Sequence, residues 1–87
     1  MILVRSAATA WRVIEGEAVI LSIDTKVLRG LNAVGSRVWE LIDGQRGVEE
    51  IVDVIAREFT AERATAAVDV DTFVKDLLER GLVTVRP

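Results

Sequence analysis

The chain has 87 residues, 51% of them apolar, with 14 acids against 11 bases and neither cysteine nor histidine. That apolar fraction excludes disorder as the free state, and no apolar run reaches the roughly 20 residues of a membrane helix. Disulfides, a thiol nucleophile and a Cys-based zinc site are ruled out, and the usual general base at neutral pH is missing. A net charge of −3 disfavours nucleic acid as an obligate partner, because a phosphate-binding chain needs clustered Lys and Arg. The opening Met1-Ile2-Leu3-Val4-Arg5 lacks a basic segment before a long apolar stretch and is not a signal peptide. The expectation is one cytoplasmic domain spanning residues 1–87, with no membrane partner.

In chain order, Trp11–Glu15 and Ala18–Ile23 are β-branched runs that read as strands. Gly16-Glu17 lies between them, and glycine at the first central position suits a type II′ hairpin turn. Asp24-Thr25 forms a second turn, and Lys26–Leu31 follows as a third strand. Asn32 is a suitable N-cap for a helix carrying Val34, Val38, Leu41 and Ile42 at helical spacing. Asp43–Gly47 stops that helix, with Gly44 placed for a left-handed cap.

A second helix carries Val48, Ile51, Val52, Ile55 and Phe59 on one face, with Glu49 and Glu50 favouring the dipole in its first turn. The third runs from Glu62 or Ala64 to Arg80, with Val70, Phe73, Val74 and Leu77 in an i, i+3, i+4, i+7 pattern. Gly81 terminates it, and Leu82–Val85 returns as a closing strand. The fold class is α+β: a three-stranded antiparallel sheet, three helices and a short C-terminal strand, in a winged helix-turn-helix arrangement.

Little in this chain points to catalysis. Glu15 and Glu17 flank a turn, Asp69 and Asp71 point to different sides of a helix, and no serine has a histidine to activate it. Gly30-x-x-x-x-Gly35-Ser36 lacks the lysine of a phosphate loop. DNA reading by the third helix is disfavoured, since it holds five acids (Glu62, Asp69, Asp71, Asp76, Glu79) against Arg63, Lys75 and Arg80. No cofactor and no metal site is expected.

Peptide binding has two features in its favour. If Lys26–Leu31 is the edge of the sheet, its free N–H and C=O groups can pair with an extended guest. Phe73 falls on the shoulder of the apolar stripe of the third helix, beside Asp69 and Asp76. A half-exposed aromatic there would wall a groove; alternatively, Phe73 completes the core and Lys26 and Gly30 merely protect the edge.

Leu31-Asn32-Ala33-Val34-Gly35-Ser36-Arg37-Val38-Trp39-Glu40-Leu41-Ile42-Asp43-Gly44 resembles the "LN…G…W.LL.DG" signature of PqqD-like proteins. Asp69–Leu77 is similar to their "DV..FL..L" helix, with Val74 where leucine is usual, and Gly81-Leu82-Val83 to the "GLV" that ends it. The resemblance covers residues 11–85. It implies a non-catalytic recognition domain for ribosomally made, modified peptides, in which the precursor's leader adds antiparallel to the third strand. It assigns Lys26, Val27, Leu28, Arg29, Gly30 and Leu31 to the docking edge. Asp69, Val70, Phe73 and Asp76 face the leader from the third helix, while Trp39 and Asn32 serve the fold.

The family's namesake delivers a peptide to a radical-SAM enzyme in quinone-cofactor biosynthesis. Compact stand-alone relatives in lasso-peptide clusters serve a cysteine-protease-like leader peptidase and an ATP-dependent cyclase. The chain opens directly into its first strand, and Leu31-Asn32…Trp39 is closer to the lasso type, which implies the peptidase, with the cyclase, as partner.

Overall fold

A computed structural model describes all of residues 1–87. Eight elements follow in order: β1 (Leu3–Arg5), β2 (Thr9–Ile14), β3 (Glu17–Ser22), β4 (Leu28–Gly30), α1 (Ala33–Leu41), α2 (Val48–Glu58), α3 (Arg63–Glu79) and β5 (Val83–Val85). The α+β class and the sheet-then-helices order hold. No helix is long and apolar enough to cross a membrane.

β2, β3 and β4 form an antiparallel sheet in that order. The β2–β3 hairpin turns on Glu15 and Gly16, both at positive φ (52° and 82°), with Ile14 opposite Glu17. This is the type I′ pattern rather than the expected II′ turn on Gly16-Glu17, because glycine occupies the second central position. β2 begins at Thr9, two residues earlier than expected. Lys26 lies outside β4 in the left-handed region (φ 61°), where its N–H donates to the Ser22 carbonyl (2.8 Å). The expected strand Lys26–Leu31 therefore contracts to Leu28–Gly30.

Leu3–Arg5 forms a strand that was not expected from the sequence. β1 pairs antiparallel with β5, Leu3 opposite Val85 and Arg5 opposite Val83. The closing strand thus belongs to a separate two-stranded ribbon. Leu3 is fully buried. Arg5 reaches across to α1, donating from Nη1 to the Trp39 carbonyl (2.9 Å). Its guanidinium also stands 4.8 Å from the Trp11 ring centroid, a cation–π distance.

The helices cover one face of the β2–β3–β4 sheet. Asn32 caps α1 as expected, its side chain accepting from the Gly35 N–H (2.8 Å). Trp39 is entirely buried and meets Trp11 edge-to-face, 6.1 Å between centroids. Its Nε1 is buried without an acceptor. α2 and α3 contribute Ile51, Val52, Ile55, Val70, Val74 and Leu77 to the same core. Gly81 holds positive φ (70°) just past α3, the left-handed exit foreseen there. Gly44 is also at positive φ (80°), but α1 ends earlier, on an Ile42 cap outside the left-handed region, so Gly44 turns the following loop rather than capping the helix.

One buried polar side chain sits in this core. Ser36 Oγ accepts from the Ala18 N–H (2.7 Å) and donates to the Leu31 carbonyl (3.3 Å). The Leu31 N–H meanwhile donates to the Ala18 carbonyl (2.9 Å). The hydroxyl is thus wedged into the last pair of the β3–β4 ladder. Ser36→Ala leaves a buried donor and a buried acceptor unpaired, which costs about 1–3 kcal/mol for each group. A urea unfolding curve should show the lowered midpoint with an unchanged slope.

Candidate functional site

β4 is the outermost strand on its side of the sheet. Which of its backbone groups are free follows from parity. The Ser22 N–H donates to the Val27 carbonyl (3.0 Å) and the Leu31 N–H to the Ala18 carbonyl, so residues 27, 29 and 31 turn their polar groups toward β3. Successive residues of a strand point oppositely. Leu28 and Gly30 therefore direct their N–H and C=O away from the sheet. Of the six residues expected to form a docking edge, these two have backbone groups that no strand pairs. Lys26 sits in the turn, and Arg29 and Leu31 spend their backbone bonds inward.

Side chains alternate likewise. Arg29, opposite Ile20, lies on the helix-facing side of the sheet and pairs with Asp76 of α3. Leu28, opposite Leu21, lies on the outer side and is 68% exposed. Leu31 is buried in the core.

The groove between β4 and α3 is crossed by that Arg29–Asp76 pair, with a cleft on either side. The first, about 240 Å³, is lined by Ile20, Ser22, Thr25, Val27, Arg29, Arg80 and Leu82. The second, about 220 Å³, is lined by Asn32, Val34, Gly35, Val38, Asp69, Val70 and Phe73. Of the four α3 residues singled out from the sequence, Asp69, Val70 and Phe73 meet in the second cleft, and Asp76 stands at the divide. Val70 is its buried floor. Phe73 is half-buried against the core, so it both completes the core and walls the cleft.

Two residues of the site were not identified as such from the sequence. A Cβ on Gly35 would come within 3.4 Å of Phe73 Cζ and 3.2 Å of Asn32 Oδ1. Glycine there lets the Phe73 ring lie against the first turn of α1. The available signal was a glycine inside a helix, which costs about 1 kcal/mol against alanine and so implies a packing reason. From the sequence Arg80 is the end of the third helix and one of its three bases, with nothing to place it in the groove. It donates from Nε to Asp76 Oδ1 (2.9 Å), one turn back at i−4.

Asp76 thus accepts from two guanidiniums, and its carboxyl is held below the usual carboxylate range. The hydrogen bond from Arg80 is the largest cause, opposed by desolvation and reinforced by the charge of Arg29. A depressed pKa in the folded state means stability that is present above the unfolded value and lost as pH falls through the folded one. Asp76→Asn should therefore destabilise the protein near neutrality. Its deficit against the parent should shrink as pH drops below about 3.8, as urea titrations at pH 7 and pH 3 will show. No ring of acidic side chains is placed to hold a metal ion.

Residues 17–83 match the family model "Coenzyme PQQ synthesis protein D (PqqD)". Curated relatives named "PqqA binding protein", from Rhodopseudomonas palustris strains BisB5 and HaA2, are each 35% identical over 51 residues. That stretch is 59% of this chain, which spans about half the length of those relatives (50%). A solved structure, "TbiB1 in Complex with the TbiA(beta) Leader Peptide", superposes with a TM-score of 0.88 at 34% identity, covering 97% of this chain and 98% of that one. "Lasso peptide synthetase B1 complexed with the leader peptide" shares the fold at 15% identity, with a TM-score of 0.86 over 98% of this chain and all of that one. The matched residues run from the start of β3 to the start of β5 and so contain both the free edge and the groove: the chain belongs to the PqqD family.

Proposed function

We propose that this chain is a non-catalytic binder of the leader segment of a ribosomally made precursor peptide. The leader adds as an antiparallel strand to β4 and lays side chains in the groove with α3. The observation that carries this reading is the outward pair of backbone positions, Leu28 and Gly30, on a terminal strand beside an aromatic-walled cleft. The family membership and the leader-bound state of the structurally similar TbiB1 support it. In this reading the winged helix-turn-helix arrangement serves a peptide rather than DNA, whose phosphates the acids of α3 would repel.

Magnitudes decide where the affinity resides. Two outward residues offer two donors and two acceptors. At about 0.5–1.5 kcal/mol net per bond, together they contribute about 2–6 kcal/mol. Lost translational and rotational freedom alone costs about 4–15 kcal/mol. Main-chain pairing therefore sets direction and register, and side chains in the two clefts supply the binding energy.

The mechanism is presentation. Holding the leader raises the effective concentration of the core peptide at an enzyme engaged by another surface. We assign the domain to cytoplasmic lasso-peptide maturation, with a cysteine-protease-like leader peptidase, and a cyclase, as the enzymes served. The near-complete coverage of TbiB1 favours this assignment. The name of the curated relatives favours the alternative, delivery of a peptide to a radical-SAM enzyme in quinone-cofactor biosynthesis. Fluorescence polarisation with labelled TbiA(beta) leader and labelled PqqA separates the two. Binding of the leader with at least tenfold preference is expected, and the reverse preference would overturn the assignment.

Proline substitutions test the edge itself. Leu28→Pro deletes an outward N–H and should weaken leader binding by up to about tenfold while circular dichroism stays native. Arg29→Pro deletes an inward ladder donor and should unfold the sheet. Phe73→Ala should leave a folded domain that binds the leader at least tenfold more weakly. Native affinity in Leu28→Pro would remove β4 from the mechanism.

A further inference from the structure

The two clefts differ in charge. The one beside α1 carries a carboxylate, the exposed Asp69, and no basic group. The one beside the β3–β4 turn carries two guanidiniums, Arg29 and Arg80, and no acid among its lining residues. Asp76, between them, is the only partner of either arginine and answers both. One carboxylate against two guanidiniums leaves a full positive charge facing this cleft. Neither Asp24 nor Glu79, the nearest acids along the chain, lines it.

The rest of its wall suits a side chain with an aliphatic stem and an acceptor tip. Ile20 and Leu82 form a buried floor, Val27 is a 55% exposed rim, and the Ser22 and Thr25 hydroxyls add donors. Arg80 is the mobile member, on the last turn of α3 with more than half of its side chain exposed. Its guanidinium can turn to a guest carboxylate while Arg29 keeps Asp76 neutralised.

Direction follows from the strand geometry. β4 runs from the turn toward α1, so an antiparallel guest enters over the Phe73 cleft and leaves over Arg80. Gly30 lies three steps along the strand from Val27, about 10 Å at strand rise. We infer that this cleft is a specificity subsite for an acidic side chain, Asp or Glu, placed a few residues C-terminal to the apolar anchor that enters over Phe73. The inference rests on the leader-binding reading and adds to it the chemistry and the position of a second anchor.

Selection from an mRNA-displayed library of random 15-residue peptides tests both separately. The parent protein should enrich an apolar or aromatic residue followed, a few positions later, by Asp or Glu. Changing that acid to its amide in a selected peptide should weaken binding about tenfold, the worth of one charge-assisted hydrogen bond. Arg80→Glu, checked for native circular dichroism, should exchange the enriched acid for Lys or Arg. Arg80→Gln, which leaves less risk to the helix end, should lose the acid preference and keep the apolar one. Binders that use β4 but show no acid at a fixed spacing would overturn this inference and leave the strand-addition reading standing. A library that yields no binder sensitive to Leu28→Pro would overturn both.

Discussion

A single hydroxyl decides where the sheet ends. Ser36 stands in the ladder between the Ala18 N–H and the Leu31 carbonyl, where a continuing strand pair would exchange a direct bond. The Leu31 N–H still reaches Ala18, so the sheet is closed at that point with no buried polar group orphaned. The chain leaves into α1 directly afterwards, and α1 returns the hydroxyl from its own first turn. Because the chain turns away there, β4 acquires no further neighbour and its outer backbone groups stay open. The core packing of α1 and the exposure of the edge are thus two results of one local arrangement.

Short length gives the edge its character. A long, flat, apolar edge would recruit copies of itself. β4 is three residues long, follows a left-handed lysine and ends at a glycine. A guest strand added there, as proposed, would gain too little from the backbone to bind on that account alone. In the proposed reading selectivity falls to the clefts on either side of the Arg29–Asp76 pair, and the pair keeps them distinct. This ion pair is partly exposed, 28% and 31% for the two side chains, so its contribution to stability is modest. Its larger consequence is shape, since it is a polar bar across a groove otherwise walled by Phe73, Val70 and Val27.

The N-terminal strand shows how a small domain supplements a limited core. Few residues are available to cover the end of the sheet and the base of α1. Leu3 fills the interior from β1, while Arg5 satisfies the last-turn carbonyl of Trp39 and stacks on Trp11. The arginine buries its stem and meets two aromatic faces, which a lysine would do less well because its ammonium is compact and strongly hydrated. β1 and β5 meet across nearly the whole length of the chain. The helices that carry the groove are thereby clasped from both termini.

Local chemistry and periodicity were enough to read the helices from residue types. The Asn32 cap, the glycine exit at Gly81, and the buried stripe of Val70, Val74 and Leu77 depend only on neighbours a few residues away. The shoulder position of Phe73 followed from the same periodicity. The β2–β3 hairpin was legible, but its turn type was not, since Gly16 fits either central position until the register is known. Pairing partners distant in sequence left no local mark. β1 needs β5 almost eighty residues later, and three residues are too few to show an alternation. The parity that turns Leu28 and Gly30 outward, and the meeting of Arg29, Asp76 and Arg80 at one cleft, were likewise decided by tertiary structure. A strand's sides are equivalent until one of them is paired, and a helix end meets a strand only after the core between them has formed.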